Sequence, residues 1–235
     1  MRTFAISDIH GNYPAFKSAL DNAKFDYNND KLIVVGDICD RGHYLVQVIN
    51  ELNKIKNLVL ILGNHDYWFI EYLACKNNLD YDNMNLSFWL EQGGTETVKA
   101  HQSDNIVKEF YTNNKFLDYY IEDNKLFVHA GIDLDLSIEE HTQDYLIWDR
   151  TLYNKIIAAY TASSYNNKPM KELCNKLKYD ELYIGHTPNL IRSTVFNNPF
   201  TIQVIDKFIL LDCGAGYPQY SGTIRMININ TKEIF

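Results

Sequence analysis

Four of the seven histidines in this 235-residue chain share one setting. His10, His65, His129 and His186 each follow a short apolar run and stand beside glycine or another ligand-type residue. The runs are Ser7-Asp8-Ile9-His10-Gly11, Gly63-Asn64-His65-Asp66, His129-Ala130-Gly131 and Gly185-His186-Thr187. A fifth run, "KLIVV", ends in Gly36-Asp37, with Asp40 and Arg41 close behind. Asp, Asn and His supply the mixed oxygen and nitrogen ligands that suit manganese, iron or zinc, whereas calcium prefers an all-oxygen cage. No cysteine is needed in such a set. His43, His101 and His141 lack this setting and are expected in ordinary surface roles.

Residues so far apart can meet only if the fold gathers them, and the carboxyl ends of neighbouring strands in α/β sheets converge on one crevice. The periodicities fit that requirement. Apolar positions Phe16, Ala19, Leu20 and Ala23 recur at helical spacing behind Asn12 as a cap and Pro14 in the first turn; Leu45, Val48, Ile49, Leu52 and Ile55 repeat the pattern. Between them lie β-rich runs at 3–7, 31–35, 58–62, 125–128, 181–184, 201–205, 208–211 and 223–229. This alternation predicts an α/β protein with a mixed sheet or two packed sheets. The aromatic-rich middle, about 67 to 120, is expected to be mostly helical with a break at Gly93-Gly94, and 163–170 to be a loop too short for a domain boundary. One domain over 1–235 is the expected organisation.

Composition narrows the function classes. A net charge of −8 and the lack of a basic cluster argue against nucleic acid as partner. Charged and turn residues within the first ten positions leave no room for a secretory signal, and no apolar run reaches membrane-spanning length. A cytoplasmic location without membrane contact is the expectation. Cys39, Cys75, Cys174 and Cys213 are dispersed and read as reduced, small hydrophobes.

In order, "SDIHG", "GDICDRG", "GNHD", "HAG" and "GHT" resemble the signature of the calcineurin-like metallophosphoesterases. The match is to their phosphoprotein phosphatase branch, which holds bacterial serine/threonine phosphatases and symmetrical dinucleoside tetraphosphatases. "LIWDR" (146–150) and "LLDCGAGY" resemble further elements of the bacterial protein phosphatases. The resemblance implies a layered β-sandwich of mixed sheets flanked by helices, with a dinuclear metal centre at the strand ends. Asp8 and His10 would bind one ion, Asp37 would bridge both, and Asn64, His129 and His186 would complete the other. Two divalent ions are implied, manganese first, with iron, zinc or nickel as alternatives. Ions about 3.5–4 Å apart that share a carboxylate lower the pKa of a bridging water, and the implied reaction is direct attack by that hydroxide.

The remaining roles also come with the resemblance. Arg41 and Arg150 would clamp phosphate oxygens through paired guanidinium donors. His65 would give a proton to the departing oxygen, and Asp40 would orient its ring. Trp148 is expected to be a packing residue. The leading expectation is a phosphomonoesterase acting on phosphoserine or phosphothreonine in a phosphoprotein, because "CDRG" and "WDR" fit that pattern. Hydrolysis of dinucleoside tetraphosphates, small phosphorylated substrates, is the alternative, favoured by the Asp66 of "GNHD". A catalytically silent metal-binding scaffold is the third reading, though it would have no need of His65 or Arg41. Oligomeric state is not encoded in any of these motifs.

Overall fold

The computed structural model describes residues 1–75, 86–163 and 165–235. Among the described residues, ten strands form two five-stranded sheets. The first contains β1 (Thr3–Ile6), β2 (Lys31–Val35), β3 (Asn57–Ile61) and β4 (Phe116–Leu117) in parallel, with β10 (Ile227–Asn228) antiparallel beside β1. The second has the order β5 (Tyr119–Glu122), β6 (Lys125–Val128), β7 (Glu181–Ile184), β9 (Phe208–Leu210) and β8 (Gln203–Ile205), parallel at its centre and antiparallel at both edges.

The layering follows from the two-residue period of a strand. On one face of the first sheet, Ala5, Ile33, Val35 and Ile61 meet Phe127, Tyr183 and Ile209 of the second. On its other face Phe4, Ile6, Leu32, Val34 and Leu60 pack against helices α1 (Tyr13–Asn22), α2 (Leu45–Leu52) and α3 (Asn64–Cys75). Alpha helices α4 (Leu86–Trp89), α5 (Thr95–Ser103) and α6 (Ile106–Asn113) extend that side. The outer face of the second sheet, with Leu126, Val128, Leu182 and Ile184, is covered by α7 (Gln143–Trp148), α8 (Thr151–Ala162) and α9 (Lys168–Lys176). A sheet buried on both faces reads as a continuous apolar run, which is why "KLIVV" gave so clear a strand. Each fully buried aliphatic side chain there contributes roughly 1.5–3 kcal/mol. The sandwich of two mixed sheets flanked by helices is thus present as expected.

Local chemistry accounts for the elements that carry the crevice. Asn12 caps α1, its side chain accepting from the Ala15 N–H, and Pro14 sits in the first turn, where its missing N–H costs no helical bond. The aromatic middle departs from the helical expectation at its end, where Phe116–Leu117 and Tyr119–Glu122 are strands. Asp123 and Asn124, both at positive φ and just beyond that middle, turn β5 back onto β6. Residues 76–85 of that middle, and residue 164 of the loop expected over 163–170, lie outside the described residues. The last three positions of that loop are already in α9. The run at 223–229 yields only Ile227–Asn228 as a named strand, while Met226 exchanges backbone hydrogen bonds with Phe235.

Candidate metal centre

The carboxyl ends of β1, β2, β3, β6 and β7 meet at one end of the sandwich. Backbone bonds tie them together: the Asp8 N–H donates to the Gly36 carbonyl and the Gly185 N–H to that of His129. Glycine permits the approach, because a Cβ on Gly63 would collide with the Asp37 carboxylate and one on Gly185 with Ser7 and Asp8. The backbone is strained here. Of twelve described non-glycine residues at positive φ, six are Asp8, His10, Asp37, Asp40, Arg41 and His186. Strain of this kind persists where the surroundings over-determine it, and it gathers at functional sites.

Asp37 is the centre of the arrangement. Its Oδ2 lies 3.6 Å from His10 Nε2, and its Oδ1 lies 3.4 Å from His129 Nε2. Both imidazoles are turned by carbonyl groups, which can only accept: His10 Nδ1–H donates to Cys39 O at 2.8 Å and His129 Nδ1–H to Val35 O at 2.9 Å. Each ring therefore presents Nε2 to the carboxylate, the orientation that such outer contacts give to metal-binding histidines. Asn64 Oδ1 lies 3.1 Å from His129 Nε2 and 2.9 Å from His186 Nδ1. Two groups result, His10 with Asp37 and His65, and Asp37 with His129 and His186; within each, the ligand atoms lie within 4.8 Å of one another, and all these residues are buried.

This donor set fits a pair of divalent cations. Burial drives the His186 pKa down to about 2 with help from the His129 charge, and burial with the Arg41 charge takes His10 well below the usual range, so both offer lone pairs. Burial opposes charge on His129 too, but Asp37 outweighs it and lifts that pKa to about 10. Burial opposes charge on Asp37 as well, but His129 foremost, with His65 and His10, takes its pKa well below the usual carboxylate range. A cation beside Asp37 and Asn64 would meet the same charge, and a ligating imidazole must give up its proton.

Asp8 is buried beside this cluster, with its pKa raised to about 6 by desolvation and by the Asp37 charge. Its Oδ1 is 4.0 Å from His10 Nε2, and its carboxylate also accepts from Ser7 and from the His186 N–H. Asp8 thus adjoins His10, whose tight group holds Asp37 and His65.

The Arg41 guanidinium lies across the crevice, donating to His10 Nε2 at 2.7 Å and to His65 Nε2 at 2.9 Å, with its face over the Tyr217 ring at 4.8 Å. His65 Nδ1–H donates to Asp40 Oδ2 at 2.6 Å. Asp40 is itself held from two further sides, by Trp89 Nε1–H at 2.7 Å and by the Thr97 hydroxyl at 2.5 Å, while the Arg41 N–H donates to Gly93 O. The segment from α4 to α5 thus clamps the loop after β2. Asp66 fixes the other side of that loop by accepting from the N–H groups of Asp37 and Ile38 and from the Tyr111 hydroxyl. Trp89, Thr97 and this role of Asp66 were not foreseen; the Gly93-Gly94 break inside "WLEQGGTET" was the available signal. Arg150 stands at the rim: it is exposed at the start of α8, without a hydrogen bond or ion pair to the centre among the described residues, and its charge adds to burial and the His129 charge in lowering the His186 pKa.

The family model described as calcineurin-like phosphoesterase matches residues 1–190. A symmetrical bis(5'-nucleosyl)-tetraphosphatase of Pseudomonas syringae pv. tomato is 29% identical over 175 residues, covering 73% of this chain and 54% of that protein. The chain thus spans about half the length of that relative. Among solved structures, a chain whose assignment as a diadenosine tetraphosphatase is itself provisional superposes with a TM-score of 0.68 at 16% identity, covering 100% of this chain and 91% of that one. A protein serine/threonine phosphatase from Saccharomyces cerevisiae gives a TM-score of 0.58 at 15% identity, with 97% and 73% covered. These two likenesses establish the fold.

Proposed function

The chain belongs to the calcineurin-like phosphoesterase family, and from that premise we propose that it hydrolyses dinucleoside tetraphosphates at a two-metal centre loaded with manganese. The position of Asp37 between two sets of imidazole donors carries the metal part of this reading. The Pseudomonas relative, named for that activity, supports the substrate. The order of the two substrate expectations is therefore reversed, with the phosphoprotein reading now second.

In this scheme Asp37 would serve both ions, His10 and Asp8 would hold one, and Asn64, His129 and His186 would hold the other. When bound, such ions supply Lewis acidity and a water of lowered pKa. His10 Nε2 cannot serve an ion and Arg41 together, so the guanidinium turns from it to the phosphoryl oxygens, to which it offers paired donors. Arg150 is assigned a second contact with those oxygens from the rim. The same turn releases His65 Nε2, which then carries the proton for the departing oxygen while Asp40 keeps the ring in place. Residues 1–235 act as one domain in this proposal, supported by the pairing of β10 with β1 across the length of the chain. No helix among the described residues is long and apolar enough to cross a membrane. The four free cysteines support a cytoplasmic setting.

The deciding experiment compares kcat/KM for diadenosine tetraphosphate and for a phosphoserine peptide, with manganese present. A clear excess on the dinucleotide is expected. The reverse order would restore the protein phosphatase, which the 2.6 Å contact between Asp40 and His65 favours because a serine alkoxide needs a proton more than a nucleotide does. Two bound ions with neither substrate cleaved would indicate the silent scaffold.

Arg41→Ala should keep the metal content of the parent while kcat/KM falls roughly 10²–10³-fold, the usual cost of removing a donor to a developing charge. Inhibition by inorganic phosphate should weaken with it. Unchanged turnover would reduce Arg41 to a loop residue held through Gly93.

A further inference from the structure

Trp68, Phe88 and Trp148 form a wall of rings that begins at the metal centre. Trp68 lies one helical turn after His65 on α3, and the two ring centroids are 5.0 Å apart. Trp148, at the end of α7, has its ring 6.2 Å from that of His186. The two indoles meet edge to face at 4.8 Å, and Phe88 joins Trp68 at 5.8 Å. The third tryptophan, Trp89, is fully buried with its N–H bound to Asp40. By contrast Trp68 and Trp148 are only partly buried, and Phe88 is 44% exposed. These rings are incompletely covered, and two of them adjoin the proton donor His65 and the candidate ligand His186.

We infer that Trp68, Phe88 and Trp148 form a nucleobase-stacking platform for one nucleoside of the substrate. The inference rests on the tetraphosphatase reading and extends it by assigning a base-binding site. Release of ADP requires attack at an inner phosphorus, so one further phosphate and a ribose carry the base outward from the centre, and the ring wall starts beside that centre. With a net charge of −8 the protein has no general attraction for a polyphosphate, so contact with a base adds to the affinity that the metals and Arg41 supply locally. Aromatic faces accept any base, and the platform is therefore tolerant of base identity. Trp148, expected from sequence to be a packing residue, becomes a substrate contact.

The test uses manganese-loaded protein and the variants Phe88→Ser, chosen because Phe88 is exposed, and Trp148→Leu. Each should raise KM for diadenosine tetraphosphate by roughly 5- to 150-fold, the range for loss of one stacked base. With kcat little changed, this is the pattern of lost ground-state binding. Hydrolysis of inorganic tripolyphosphate, an anhydride without a base, should stay at the parent value. In binding titrations followed by tryptophan fluorescence, ADP should bind the parent more tightly than inorganic diphosphate by a similar factor, and the variants should lose that advantage. Equal losses on diadenosine tetraphosphate and tripolyphosphate, or equal affinity of the parent for ADP and diphosphate, would overturn the platform. A parent that prefers ADP yet leaves diadenosine tetraphosphate intact would uphold the platform and refute the substrate reading.

Discussion

Asp37→Asn is expected to lose manganese from both positions and to reduce kcat/KM on every phosphorylated substrate by more than roughly 10³-fold, since water without an ion keeps a pKa near 15.7 instead of about 7. The size of the effect comes from one side chain facing two sets of donors. Oδ2 points to His10 and Oδ1 to His129, and an amide would keep one oxygen, lose the charge and turn an N–H donor towards one of the imidazoles. The charge matters as much as the geometry, because it is what raises His129 and what a divalent ion would replace the proton to meet. His186→Ala provides the comparison. Among the candidate ligands the His186 ring is grouped with Asn64, His129 and Asp37, so its loss should chiefly weaken one position. Elemental analysis after chelation and reloading with manganese reads both variants. Equal occupancy in Asp37→Asn and the parent would refute the shared-ligand assignment.

His65→Asn should keep the metals and lose roughly 10²–10⁴-fold in turnover on an alkyl phosphate such as phosphoserine, the range for removal of a general acid. The loss should be much smaller where the departing oxygen is already stable near neutral pH. A nitrophenyl phosphate meets that condition, and so does the ADP released from diadenosine tetraphosphate. Asp40→Asn should follow the same pattern in milder form, because Trp89 and Thr97 still hold residue 40 while the charge that orients His65 is gone. Equal impairment on alkyl and activated aryl phosphates, with metals intact, would remove the proton-donor role. The tight group of His10, Asp37 and His65 makes the metal measurement essential: a fall in occupancy would make His65 a ligand.

Strands with local signatures were legible at once. Lys31–Val35, Lys125–Val128 and Glu181–Ile184 have the bounds that their apolar runs suggest, since each run and the residue that ends it lie within a few positions. The short strands Phe116–Leu117 and Tyr119–Glu122 were hidden because aromatic residues serve helices and edges alike, and only the Asp123-Asn124 turn distinguished them. The convergence of Asp37, Asn64, His129 and His186 was readable because each ends a strand. What surrounds Asp40 was not, because Trp89 and Thr97 reach it only after α4 and α5 fold over the loop, a contact that no sequence spacing encodes. Asp66 is similar: its carboxylate looks like part of a turn until it is seen to hold the Asp37 and Ile38 amides. Arg150 differs again: the fold leaves its side chain exposed at the rim, where its charge still reaches His186.

The central claim is that one carboxylate organises a pair of ions, and anomalous diffraction from crystals of the manganese-loaded protein tests it most directly. The account predicts two peaks per chain, one on each side of Asp37, the first beside His10 and the second among Asn64, His129 and His186. A single peak, or peaks away from Asp37 in a protein that retains full activity, would contradict it.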